Sequence, residues 1–321
     1  MFFVRTLRAT SLALLVFVGT TLTIDELAQK LGHFSESLTQ LEKQLHVVPD
    51  GPEKNILNYS SNTVSKSSDD LLFSRFQLNV KGKSKTIIIQ MGDMLSMPVD
   101  AVVDAANTEL LPGSGVSGSV KVAYSRYRRA TGSPTYPLGQ PDQKDWTMLC
   151  VYQNGTKVTV GGSGLATGFK SGDACINLGV RCLPNDGDVK KSLALVHAVA
   201  PTDEKRMDLV YNAYKNALEA ADNLGDFLNK YQFVVTMIAP ALEKTFKATP
   251  NITKIAFPLL GIGVFGLPIP EVIDAALKAI VEFLKKSQHI DTVYIMIWPE
   301  DQNTKMSYTT ACNTMQKYLV P

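Results

Sequence analysis

Residues 86–120 read TIIIQMGDMLSMPVDAVVDAANTELLPGSGVSGSV, and the order of features in this stretch decides the fold. An apolar, β-branched run over 87–91 stops at Gly92-Asp93. A second apolar run, 99–106, stops at Asn107, and three glycines (Gly113, Gly115, Gly118) then lead into a helical pattern. Two strand ends and a glycine loop at a helix start bring free backbone N–H groups and a helix dipole to one place. Such a place suits an anion beside a small polar ring.

Outward from this stretch, strand and helix patterns alternate. Runs at 72–80, 193–199, 253–260 and 292–298 predict strands, and 147–153 with 156–160 predict a hairpin about Asn154-Gly155. Apolar spacing predicts helices at 116–130, 207–228, 270–286 and 308–318, with a helix or a strand leading into one over 233–248. The alternation predicts a layered α/β fold with a largely parallel central sheet. Ligands of such sheets bind beyond the carboxyl ends of the strands, where Gly92-Asp93, Asn107 and residues 261–266 all fall.

Composition excludes several classes. With 45% hydrophobic and 19% charged residues, the 321-residue chain is globular and has ample core for one large domain or two modest ones. A net charge of +2 provides no nucleic-acid footprint, and Arg126, Arg128 and Arg129 read as a solvated helix face. The four cysteines (Cys150, Cys175, Cys182, Cys312) form no CxxC, and the four histidines lack metal-ligand spacing. Spacing leaves their disulfide state open.

Residues 1–23 place Arg5 and Arg8 before an apolar run of about a dozen residues, the pattern of an export signal; an uncleaved membrane anchor or a buried helix are the alternatives. Residues 24–46 read as an amphipathic helix with Leu27, Leu31, Phe34, Leu38, Leu41 and Leu45 along one seam, packed on the main domain or joining copies of the chain. Residues 47–70, rich in Pro, Gly, Ser and Asn, read as a linker. The main domain is then 71–321, with an extended 131–171 segment that is a lid, a partner surface or a plain excursion.

Five blocks in this domain resemble the macrodomain family. They are Gly92-Asp-Met-Leu95, Val99-Asp-Ala-Val-Val-Asp-Ala-Ala-Asn107, Leu111-Pro-Gly-Ser-Gly-Val-Ser-Gly118, Gly172–Gly179 with Leu195-Val-His-Ala-Val-Ala-Pro201, and Ile255-Ala-Phe-Pro-Leu-Leu-Gly-Ile-Gly-Val-Phe-Gly266. The resemblance implies a three-layer α/β/α fold and ADP-ribose, free or on a protein, as ligand, with no cofactor. It implies that Asp93, with Met94 beside it, accepts from the adenine amino group, and that Asn107 meets the distal ribose. Gly113, Gly115, Val116 and Ser117 would form one backbone wall around ribose and phosphates, and Gly261, Ile262, Gly263, Val264 and Phe265 the other. Trp298 would flank the adenine, with Tyr294 as a further candidate, while His197, inside an apolar strand, reads as a core residue.

Three departures from the family pattern bear on activity. Asp104 replaces an Asn, Asn177 replaces a Thr, and Ser114 and Ser117 stand where hydrolases of the family carry an Asp. A binding module is the leading expectation. An ADP-ribosyl hydrolase using Asn107 and a positioned water is the alternative, and a module kept only for protein interaction is the third.

Overall fold

The computed structural model describes residues 21–23, 59–66, 72–111, 113–131, 149–152, 157–160, 168–229, 251–298 and 304–319. Its strands are β1 (Thr21–Thr23), β2 (Tyr59–Lys66), β3 (Leu72–Val80), β4 (Lys83–Met91), β5 (Ala101–Ala106) and β6 (Leu149–Tyr152). They continue with β7 (Lys157–Val160), β8 (Ala174–Cys182), β9 (Leu193–Val199), β10 (Lys254–Pro258) and β11 (Thr292–Ile297). The helices are α1 (Gly115–Thr131), α2 (Met207–Asp222), α3 (Ile269–Leu284) and α4 (Thr304–Leu319).

All the strands join one sheet in the order β1-β7-β6-β8-β9-β5-β10-β11-β4-β3-β2. The central strands β9, β5, β10, β11 and β4 run parallel to one another. Both flanks are antiparallel. The sheet is mixed, as expected, but only its centre is parallel; flanking pairs such as β3–β4 and β6–β7 are close in sequence and need no helical crossover.

Strand alternation sorts the core into two layers. Ile87, Ile89, Val103, Val196, Phe257 and Ile295 face one side, packing with Val210 and Leu218 of α2, Ile273, Leu277 and Ile280 of α3, and Met315 of α4. Ile88, Val102, Leu195, Ala256, Tyr294 and Met296 face the other, packing with Val120 and Ala123 of α1. Helix, sheet and helix make the three layers.

Two charged side chains hold the strand starts level. Lys85 is 2% exposed, and its ammonium donates to the Ile290 carbonyl and to Asp291 Oδ1, each at 2.7 Å. Asp100 Oδ2 accepts from the Thr253 and Lys254 N–H groups at 2.8 and 2.9 Å, tying the entry of β10 to that of β5.

One sequence expectation changes and two stretches gain a structure. Tyr59–Lys66, inside the stretch read as a linker, is a strand paired antiparallel to β3; its polar composition suits a sheet edge and hides it from apolar-pattern reading. Block 172–179 is largely strand β8, disguised by Asn177, Gly179 and Arg181 and by a register shift between Asn177 and Arg181. Within 131–171 the described residues include β6 and β7, paired antiparallel and joined to the main sheet through β8. The expected hairpin is therefore present, as sheet. The seam of 24–46 and the 233–248 element lie outside the described residues.

Tyr214 on α2 links helix to sheet at the carboxyl edge. Its ring stacks on Phe257 with centroids 5.1 Å apart, and its buried hydroxyl donates to the Pro258 carbonyl and accepts from the Leu260 N–H, each at 2.9 Å. Burial pushes this hydroxyl well above the usual phenol range, so it stays a neutral donor. Tyr214→Phe strands one buried carbonyl and one buried N–H. It is expected to lower unfolding free energy by about 1–3 kcal/mol in denaturant titration.

Candidate functional site

The parallel register delivers five strand ends to one edge of the sheet. At the end of β4 the Gly92 N–H donates to the Ile297 carbonyl at 3.0 Å, bringing Asp93 beside Trp298, which follows β11. Asp93 caps the short 3-10 turn Met94–Ser96, its Oδ1 accepting from the Leu95 N–H at 2.9 Å. Its Oδ2 accepts from Asn185 Nδ2, also at 2.9 Å. Trp298 is 49% exposed. Met94 is not available as a contact side chain: it is buried beneath the turn, with Leu95 and Val99 in the α1 layer. Tyr294 packs in the same layer.

At the end of β5 the chain turns at Asn107. The Asn107 amide is engaged within its own loop: Oδ1 accepts from the Glu109 and Leu111 N–H groups at 3.1 and 3.0 Å, and Nδ2 donates to the Leu111 carbonyl at 3.3 Å. The residue expected to meet a ribose therefore first builds the loop, in the manner of an Asx turn. Leu110 supports the same turn with a backbone φ of 52°, rare for a branched side chain, while its side chain is buried with Ala106, Phe169 and Val199.

The glycine loop follows. Gly113, Ser114 and Gly115 are exposed, and α1 begins at Gly115 with a φ of 62°. Ser117 is buried and its Oγ accepts from the Gly113 N–H at 3.3 Å, folding the loop over the helix start. A Cβ on Gly118 would lie 3.0 Å from the Gly113 carbonyl oxygen, so a side chain there would press the loop outward by a few tenths of an ångström. Val116 is half-buried against the α1 layer. The first-turn N–H groups of α1 have no acceptor within the helix, which is the usual basis of an anion site.

The second loop leaves β10, the parallel neighbour of β5. Gly261 has a φ of 85°, and a Cβ there would stand 2.4 Å from Leu267 Cδ1. The loop closes by bonds from the Leu267 N–H to the Gly261 carbonyl at 3.0 Å and from the Gly266 N–H to the Gly263 carbonyl at 3.1 Å. Ile262 and Phe265 pack inward on the core. Gly263 is exposed and Val264, at the tip, is 86% exposed. Tyr214 holds the base of this loop through Leu260. The two glycine loops thus stand on adjacent strands, with Trp298 one strand and Asp93 two strands further along the same edge.

Below the edge lies a buried polar row. His197 Nδ1 is 2.9 Å from Asp104 Oδ2, and His197 Nε2 is 3.2 Å from Asn177 Nδ2. All three residues are buried, so His197 is a core residue. Asp104 and Asn177, two of the departures from the family pattern, belong to this row and not to the crevice wall. Burial raises the Cys175 and Cys182 thiols above their ordinary range, and both stay protonated beside it. Asp100, Leu110, Asn185 and Tyr214 were not singled out by pattern. Their partners lie far along the chain or in backbone, and only the positive φ at Leu110 has a local origin.

No family model matches the chain. A macro domain-containing protein of Methanosarcina mazei is 27% identical over 231 residues, covering 71% of this chain and 87% of its own. An O-acetyl-ADP-ribose deacetylase of Escherichia coli strain K12 is 25% identical over 223 residues, covering 68% and 91%. The solved Oceanobacillus iheyensis macrodomain with ADP aligns over 77% of this chain and 97% of its own, at 21% identity and a TM-score of 0.44. Over about two thirds of its length the chain is thus similar to curated macro domain and O-acetyl-ADP-ribose deacetylase proteins, in line with the resemblance of its five blocks.

Gly261→Ala forces a side chain into left-handed backbone against Leu267. A loss of about 1–2 kcal/mol is expected, read as a lowered melting temperature.

Proposed function

We propose that the crevice at the carboxyl edge of the parallel strands binds ADP-ribose, free or attached to a protein. One observation carries the reading: two glycine-turn loops, 113–117 at the exposed start of α1 and 261–266, follow adjacent parallel strands. Backbone N–H groups suit a diphosphate without any charged side chain. Asp93, an acceptor-only carboxylate, favours the N6 donor of adenine over the O6 acceptor of guanine, and Trp298 is exposed beside it for the ring face. Asn107 shapes the ribose end of the pocket through its loop and has one amide hydrogen left to offer.

Similarity to the Escherichia coli O-acetyl-ADP-ribose deacetylase favours a second reading, hydrolysis of an acyl or protein-linked ADP-ribose ester. Against it, Ser114 and Ser117 replace the acid of the family's hydrolases, and Ser117 Oγ already accepts from the Gly113 N–H. A hydroxyl without a basic partner is a poor general base, so any acceleration would come from holding water and ester in place. We also propose that the basic-then-apolar stretch preceding β1 directs export.

Calorimetry is expected to show ADP-ribose binding with a Kd on the order of micromolar, about ten-fold or more weaker in Asp93→Ala, as loss of a charge-assisted bond requires. A folded protein giving no heat with ADP-ribose would sink the proposal. Incubation with O-acetyl-ADP-ribose and with carboxylate-linked ADP-ribosyl protein is expected to leave both substrates intact. Turnover of either would establish the hydrolase reading instead. Mass spectrometry of the mature N-terminus tests export, with cleavage near residue 20 as the expected outcome.

A further inference from the structure

Asp93 is the side-chain acceptor proposed for the purine, so whatever holds its carboxylate bears on what the crevice admits. Fixed donors engage both oxygens, the Leu95 N–H at Oδ1 and Asn185 Nδ2 at Oδ2, each at 2.9 Å. Asn185 is itself held from three directions. Its backbone N–H donates to the Leu95 carbonyl at 3.0 Å, its Nδ2 donates to Ser96 Oγ at 2.8 Å, and its Oδ1 accepts from Arg126 Nη1 on α1 at 3.4 Å. Both amide hydrogens of Asn185 are therefore committed, and none is left for a base. Any effect of Asn185 on a ligand must pass through Asp93.

We propose that Asn185 is a positioning residue for purine recognition: it locks the Asp93 carboxylate so that the crevice takes a 6-amino purine and rejects a 6-oxo purine. The inference rests on the ADP-ribose reading above. Each carboxylate oxygen carries two lone pairs and has accepted one fixed bond, so acceptor positions remain in set directions. A 6-amino group donates to such a position. A 6-oxo group brings a second acceptor against it, and a locked carboxylate has no rotation by which to escape. A carboxylate free to turn would bind adenine less well and hypoxanthine less badly. Asn185 thus acts on selectivity as well as affinity.

The loop that carries Asn185 is built to hold it. It leaves β8 with the Leu183 N–H donating to the Ala123 carbonyl of α1 at 3.1 Å. It then turns through Gly187, whose φ is 77° and whose N–H donates to the Pro184 carbonyl at 3.0 Å. Asp188 caps the 3-10 turn Val189–Lys191 that follows.

The test is calorimetry of ADP-ribose and its hypoxanthine counterpart, inosine diphosphate ribose, with the unaltered chain, Asn185→Ala, Asp93→Ala and the double variant. Asn185→Ala is expected to weaken ADP-ribose binding about three- to ten-fold, the worth of one pre-organising hydrogen bond, and to narrow the preference for adenine. In the Asp93→Ala background the same change is expected to do nothing, since coupled residues are non-additive. Ser96→Ala, which frees one amide hydrogen of Asn185, is expected to give a smaller loss in the same direction. Asn185 is exposed, so unchanged melting temperatures are expected to accompany these effects. An equal loss in both backgrounds, or unchanged affinity and preference in Asn185→Ala, overturns this inference and leaves the binding reading standing. Absence of ADP-ribose binding by the unaltered chain overturns both.

Discussion

Parallel strands in register deliver all their carboxyl ends to one edge, and everything proposed for this protein depends on that alignment. Lys85 and Asp100 set it at the far edge, where strand starts are tied by charge-assisted bonds to neighbouring backbone. The carboxyl edge can then be irregular. Strand β5 runs into a loop stabilised by its own Asn107, and β10 runs into a loop hung from Tyr214. Rigid origins permit specialised ends.

The buried row of Asp104, His197 and Asn177 fits the same division. It bonds β5 to β9 and β9 to β8 through side chains, in addition to the backbone ladder. A buried carboxylate is tolerated only with a partner, and the imidazole supplies one. The substitutions that distinguish this chain from the family's pattern at these positions are thus matters of packing. They leave the crevice wall, which is mostly backbone, unaltered in kind.

What could be read from the residues alone follows the range of the interactions. The glycine loops, the strand ends and the amphipathic helix α3 have local causes, and their places were legible. The core position of His197 was legible because its neighbours on β9 are apolar throughout. Asn185 was not, since it meets Asp93 across 92 positions of chain, and nothing local distinguishes it from a turn asparagine. Asn107 was read for the ligand when its first partners are Glu109 and Leu111, a choice that depends on the loop's path. Strands β2 and β8 escaped because polar residues and register shifts break the apolar pattern that marks a strand.

The two outer strands have a consequence for strand addition at the sheet's rims. A sheet of eleven strands would expose long rows of unpaired amide and carbonyl groups wherever it ended on a regular strand. Among the described residues it ends on one side at β1, three residues long, and on the other at β2, rich in serine and broken by a register shift between Ser61 and Val64. A very short rim and a kinked one are both poor templates for a further chain.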